Sequence, residues 1–196
     1  MDLTKFTNKE FDENKTSNEV KVSAKYKISN KLTLGLESES GKKTDDIGFL
    51  QKKDGEIHFG RRDINSVENS LDLNFNIDNY KYLSLRFRNF WSTANYDNVL
   101  FSLKNDGMRE LTDHSKLDFD PNTNFNLWNL DLNFDWWFSP GSTITLQYKN
   151  QIFNRDNESG LKYYKSLKNL FEFPVEHQLS LRINYLIDFN KLRRND

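Results

Sequence analysis

WNLDLNFDWWF, residues 128–138, is two rows of side chains written through each other. Trp128, Leu130, Leu132, Phe134, Trp136 and Phe138 share one parity, and Asn129, Asp131, Asn133 and Asp135 fill most of the other. Successive side chains on a β-strand point to opposite faces, so this ribbon has one apolar side and one polar side. Its length separates two settings. A strand in a soluble sandwich runs about five or six residues, whereas one crossing a bilayer at a tilt needs about ten, and this row persists that long. Against lipid, a one-residue slip of register would turn Asp131 and Asp135 into acyl chains at up to roughly 2 kcal/mol each, which specifies the pairing strongly.

The same alternation recurs along the chain. Val20, Val22, Ala24, Tyr26 and Ile28 alternate with Lys21, Ser23, Lys25 and Lys27, and after Ser29-Asn30 the row Leu32, Leu34, Leu36 follows. Val67, Leu71, Leu73, Phe75 and Ile77 form the next row, continuing a segment from Ile57 and Phe59. Leu83, Leu85 and Phe87 oppose Ser84, Arg86 and Arg88. Ile144, Leu146 and Tyr148 follow the turn Ser139-Pro140-Gly141-Ser142, and the last row runs from Leu179 through Ile183 and Tyr185 to Phe189. One stretch breaks the pattern: residues 158–172 carry Leu161, Tyr164, Leu167, Lys168 and Phe171 at helical spacing, which predicts a short helix.

Composition narrows the classes. The 196 residues include 28 Lys and Arg against 29 Asp and Glu, so no net field draws nucleic acid or an anionic surface. Mean hydropathy is −0.84, too polar for helical spans. Cysteine is absent, which removes disulfides, thiolate metal sites and thiol nucleophiles. The opening MDLTKFTNKEFDENK lacks the apolar core of a signal peptide.

Short links (29–30, 78–80, 139–142) alternate with long ones (about 40–56, 93–123, 154–175). That is the rhythm of an outer-membrane barrel, with tight turns at one end and long loops at the other. Lys53-Asp54-Gly55 and Asn105-Asp106-Gly107 mark hairpin turns inside the long links, which then extend the wall. The expectation is an all-β, antiparallel up-and-down meander of about seven to eight long strands, forming a transmembrane β-barrel or the C-terminal segment of a larger one. Residues 1–17 are expected as a flexible segment or a weak extra strand at 3–11, residues 18–190 as the barrel segment, and 191–196 as a tail. Arg86, Arg88, Asp131, Asp135, Lys149 and Arg182 are expected to face the lumen. Trp91, Trp128, Trp136, Trp137, Phe138, Tyr185 and Phe189 are expected at the membrane interfaces.

The stretches HFGRRDIN (58–65), YLSLRFRNFWS (82–92), NLWNLDLNFDWWFSPGS (126–142), LQYKN (146–150) and LSLRINYLIDF (179–189) resemble the C-terminal part of a domain-of-unknown-function family of Gram-negative bacteria. The resemblance covers about residue 47 to the end. It implies an outer-membrane β-barrel that in full-length members follows a family-9-type carbohydrate-binding module, and so a chain that is a C-terminal fragment. Where family members tend to have Arg-His-Tyr-Trp-Ser, this chain has Arg88-Asn89-Phe90-Trp91-Ser92, so no role for that histidine carries over.

Signs of chemistry are sparse. His58, His114 and His177 lie far apart and have no metal-ligand spacing. Asp118-Phe-Asp120-Pro-Asn122 begins like a calcium loop, but Thr123 stands where the turn glycine belongs and Asn129 where the bidentate Glu belongs. Asp45-Asp46 reads as a solvated loop pair, and no phosphate-binding or nucleophile-elbow motif occurs. No catalytic residue, metal or cofactor is expected. The expected protein is a non-enzymatic pore, anchor or surface platform of the outer membrane. Its expected partners are lipid, a second polypeptide or further N-terminal portion completing the barrel, and glycan, but not nucleic acid. The alternative is a soluble β-barrel or β-sandwich binding a ligand in its interior.

Overall fold

The computed structural model describes the backbone of residues 2–8 and, in full, residues 15–104, 106–112, 115 and 117–187. The described chain forms β1 (Asp2–Asn8), β2 (Lys15–Lys27), β3 (Leu32–Lys53), β4 (Glu56–Asn76), β5 (Lys81–Leu103), β6 (Arg109–Thr112), β7 (Thr123–Ser139), β8 (Ser142–Asp156), α1 (Tyr163–Leu170) and β9 (Glu176–Asn184). Every pairing is antiparallel, and the strands form one sheet in the order β1-β2-β3-β4-β5-β7-β8-β9, with β6 beside the far end of β5. This is the expected all-β meander. It is an open sheet: among the described residues no register joins β1 to β9. Residues 3–11 overlap β1, which pairs with β2 from Asp2↔Lys21 to Asn8↔Lys15.

At one end the hairpins close tightly, and local chemistry explains each turn. Ser29 Oγ accepts from the amides of Lys31 and Leu32, both at 3.1 Å. Asp78 Oδ1 accepts from the amide of Tyr80 at 2.8 Å, the backbone mimicry that makes Asp a turn residue. Gly141 has φ 74°, a left-handed conformation that glycine adopts without strain. At the other end β3, β4 and β5 run on for 21 to 23 residues each. Residues 40–56, expected as a loop carrying its own hairpin, are the paired ends of β3 and β4, turned by Asp54 and Gly55 with φ 51° and 84°. Positive φ at both positions is the hairpin geometry that follows strand twist. In the same way residues 93–103 belong to β5, and 109–112 fold back on it.

Register carries the parity of the 128–138 stretch across the whole sheet. Leu36, Leu71, Phe87 and Leu130 form one cross-strand row, Leu34, Leu73, Leu85, Leu132, Tyr148 and Leu179 the next, and Leu83, Phe134, Leu146 and Leu181 a third. All lie on one face, with Ala24 and Tyr26 of β2 continuing it. No second layer covers this face among the described residues. Leu146, Leu36, Leu181 and Leu179 are 40%, 47%, 62% and 71% exposed, while the buried apolar side chains reduce to Trp91, Tyr96, Leu100, Ile152 and Leu170.

Candidate functional site

The opposite face is polar on every strand. One row across it reads Lys25, Gly35, Asp72, Arg86, Asp131, Lys149 and Gln178, and another Lys27, Thr33, Asn74, Ser84, Asn133, Gln147 and Ser180. Charges of opposite sign are set side by side. Arg86 Nε donates to Asp72 Oδ1 at 2.6 Å, Lys149 Nζ lies 3.7 Å from Asp131, and Lys21 Nζ lies 2.7 Å from Glu37 and 3.6 Å from Glu39. Amides and hydroxyls fill the gaps: Gln147 donates to Asn133 at 2.7 Å, Thr145 to Asp135 at 2.6 Å, and Tyr82 to Asn74. A groove of about 350 Å³ lies among Asp72, Arg86, Asp131, Asn133, Gln147 and Lys149. Such a lattice is solvated and self-neutralising, fit to line water without a strong charge preference.

Arg86, Arg88, Asp131, Asp135, Lys149 and Arg182, read from parity as one facing set, do share this face but not one row. Arg86 stands opposite Asp131, Arg88 opposite Asn129, and Asp135 opposite Tyr82 and Thr145, while Arg182 is across from Thr145. The partner that parity reading left out is Asp72, which takes the Arg86 ion pair; its signal was a carboxylate two residues from Ser70 and Asn74 in the matching polar row.

The aromatics divide. Trp136, Phe138 and Tyr185 gather at the turn end of the apolar face, with Phe138 stacked on Tyr185 at 6.2 Å and Lys81 over the Trp136 ring at 5.9 Å. Trp137 is on the opposite, polar face, because its parity is odd, and it is 46% exposed. Trp128 closes the far edge of the apolar band, 4.1 Å from the Phe87 ring. Trp91 is not at an exposed edge at all. It is 5% exposed, lies under Tyr163, and donates from Nε1 to Asn124 Oδ1 at 3.0 Å. Phe189 falls outside the described residues.

Beyond Trp128 the two faces exchange character. The apolar face turns to amides, Asn69, Asn89, Asn126, Asn124 and Asn154, and the polar face turns apolar, with Phe90, Phe125, Leu127 and Phe153. Phe90, Phe125 and Phe153 meet edge to face at 5.7 and 5.4 Å. The signal was Phe125-Asn126-Leu127-Trp128, where two apolar residues stand adjacent and the alternation changes phase.

α1 docks on this amide platform. Eight residues make too short a helix to hold itself, and Lys162 offers no side-chain cap, so tertiary contacts must fix it. Tyr163, Ser166 and Leu170 face the sheet, the last two 1% and 0% exposed. The phenol of Tyr163 donates to Asn89 Oδ1 at 2.8 Å and accepts from Asn69 Nδ2 at 2.9 Å. Ser166 Oγ donates to Asn124 Oδ1 and accepts from Asn126 Nδ2, and Asn89 donates to Asn126 and to the Leu127 carbonyl. Burial raises the Tyr163 phenol above its ordinary range, keeping it a neutral donor. Of the residues read at helical spacing, Leu161, Tyr164, Leu167, Lys168 and Phe171, none is buried: Leu161 and Leu167 are half-buried, and Tyr164 and Phe171 are 82% and 52% exposed.

Farther along β3 to β5, Asp46 is 8% exposed between Lys15 Nζ at 2.6 Å and Arg62 Nε at 2.9 Å, and Arg62 also donates to the Tyr96 hydroxyl at 2.8 Å. Asp45-Asp46 is thus no solvated loop pair: a bulge between Lys43 and Asp46 turns the second carboxylate inward. Burial pushes the Asp46 carboxyl up, and its two cationic partners outweigh that and hold it below the usual range.

The histidines stay apart. His58 is 3% exposed in β4 with Nδ1 unpartnered among the described residues, His177 hydrogen-bonds the Tyr148 hydroxyl at 2.8 Å, and His114 lies outside the described residues. The oxygens of 118–122 are committed to protein donors: Asp118 to Lys53, Asp120 to the amide of Asn122, and Asn122 to the amide of Tyr96.

A sequence profile for one family, the domain of unknown function DUF5916, matches residues 1–195. The chain belongs to that family. The DUF5916 match takes in β1 and β2, which the resemblance read from about residue 47 onward had left out. Comparison with curated proteins and with solved structures returns no match. In this DUF5916 chain, then, the site is described by its own geometry: a two-sided sheet with a charged, amide-rich face and an uncovered apolar one.

Proposed function

We propose that this chain is a non-enzymatic wall segment of an outer-membrane β-barrel, its apolar face against lipid and its polar face lining a wet interior. The observation that carries the reading is the uncovered apolar face itself. The row Tyr26, Leu34, Leu73, Leu85, Leu132, Tyr148 and Leu179 is continuous from β2 to β9, and no leucine of the face is fully buried as in a sandwich: Leu36, Leu146, Leu179 and Leu181 are 40% to 71% exposed, and Leu34, Leu71, Leu73, Leu83, Leu85, Leu130 and Leu132 are half-buried. Lipid is the solvent such a face requires. Dimensions agree: the ten steps from Trp128 to Phe138 extend about 34 Å, which at a strand tilt of roughly 40° rises about 26 Å, close to the apolar band of outer-membrane barrels. Trp128 at one edge and Trp136, Phe138 and Tyr185 at the other mark the interfacial belts, and the lumen residues are Arg86, Arg88, Asp131, Asp135, Lys149 and Arg182.

The edges of β1 and β9, unpaired among the described residues, support completion by further strands, from the same polypeptide or another, since a barrel exists by having no edge. A role as a platform for glycan rests on the resemblance and on a groove of about 670 Å³ between β3 to β5 and the start of α1, where Trp91 and Tyr163 stand beside Asn65, Asn95 and Ser159.

Flotation tests the reading. The chain refolded with phospholipid vesicles is expected to float with them, resist an alkaline wash, and migrate differently on a gel with and without boiling. A chain that stays soluble without detergent and remains in the aqueous fraction would overturn the reading in favour of the soluble β-barrel or β-sandwich.

A further inference from the structure

α1 has a second exposed side, and its place on the sheet says what that side meets. Asn69, Asn89 and Trp128 belong to one cross-strand row. The first helical residue, Tyr163, hydrogen-bonds Asn69 and Asn89, and the residue that ends the helix, Phe171, packs on Trp128 with ring centroids 5.0 Å apart. Both ends of the helix touch the same row, and between them Ser166 bonds Asn124 and Asn126 just beyond it, so the helix packs across β5, β7 and β8 beside that row, with the Tyr163 hydroxyl reaching β4. Trp128 is the last apolar residue of the band on β7, with Asn126 the next on that face. The helix therefore lies along the rim of the apolar band.

Tyr164 and Phe171 are seven residues apart, two turns of helix, and so share one flank. Because Phe171 reaches Trp128, that flank is turned toward the band, and Phe173 and Val175, which follow the helix in sequence, are 39% and 41% exposed. Lys162, Lys165 and Lys168 are exposed, and the first turn holds no acidic residue. Single exposed aromatics are ordinary on soluble proteins. Here the exposed flank meets the uncovered apolar face where Phe171 packs on Trp128, and the same helix carries exposed lysines.

We propose that α1 is an interfacial anchor. It lies in the headgroup layer with the Tyr164–Phe171 flank at the acyl boundary and its lysines paired with lipid phosphates, the arrangement of amphipathic helices that rest on a membrane. The inference rests on the lipid-facing reading of the sheet and adds to it the depth and the orientation of the helix. The amide platform beneath gives the anchor its rigidity, because hydrogen bonds at fixed geometry hold the helix azimuth that a greasy contact would leave free.

The absence of cysteine makes the test direct. Single-site variants Tyr164→Cys, Phe171→Cys, Lys165→Cys and Leu146→Cys are spin-labelled and refolded into vesicles of phosphatidylcholine and phosphatidylglycerol. Collision of each label with oxygen and with a water-soluble nickel chelate then reads its depth. The labels at 164 and 171 are expected to give oxygen-to-chelate ratios severalfold above that at 165 and below that at 146. If 164 and 171 are as open to the chelate as 165 while 146 stays in lipid, the anchor is overturned and the barrel reading stands. If 146 is also open to the chelate, both readings fall.

Discussion

Phe171 and Trp128 meet edge to face, 5.0 Å between centroids with planes at 71°. The pair joins the one helix of the described chain to the boundary row of the sheet, where the apolar face gives way to amides. Replacing Phe171 with alanine removes an aromatic pair worth about 1 kcal/mol beyond its buried area. Since α1 cannot persist alone, the expected outcome is local: faster amide hydrogen exchange in 163–171 and unchanged protection in β7 and β8.

Asn89 is 1% exposed and serves three partners, Asn126, the Leu127 carbonyl and Tyr163. Asn89→Leu keeps the branched shape, though not the volume, and strands those partners, so a loss of about 2 to 3 kcal/mol is expected in a denaturant titration. Tyr163→Phe removes only the hydroxyl and is expected to cost about 1 kcal/mol.

The two faces are predicted to respond oppositely to charge. Leu132→Arg places a guanidinium in the middle of the apolar band and is expected to cost about 2 to 4 kcal/mol of folding free energy in vesicles, while Asn133→Arg, one residue on and facing the polar lattice, is expected to cost less than about 0.5 kcal/mol. Equal costs would contradict the assignment of faces.

Acid is expected to weaken the β3–β4 extension. The Asp46 carboxyl is held below its ordinary range, so its bonds to Lys15 and Arg62 contribute fully above about pH 4 and are lost as pH falls through the lowered value. Asp46→Asn should be less stable than the parent at neutral pH, and the gap should close below about pH 4 when thermal unfolding is followed across pH.

Alternation by twos was enough to read the strands next to the tight turns, those turns, and the side of the sheet on which their residues lie, because strand geometry is local and has a period of two; it did not show that β3 runs on to Lys53 and β5 to Leu103. The same rule placed Arg86, Asp131, Lys149 and Arg182 on one face without any knowledge of pairing. Pairing itself depends on register between segments tens of residues apart. That is why Asp72 as the partner of Arg86, and the bulge that buries Asp46, came only with the assembled sheet. The helix makes the same division. The spacing of Leu161, Tyr164, Leu167, Lys168 and Phe171 predicted the helix, but docking is decided by what the sheet offers at that height, and there the sheet offers asparagines. A hydrogen-bonding row of Tyr163 and Ser166 therefore turned inward, Tyr164 was left facing out, and Phe171 meets the sheet only at Trp128, on the rim of the band.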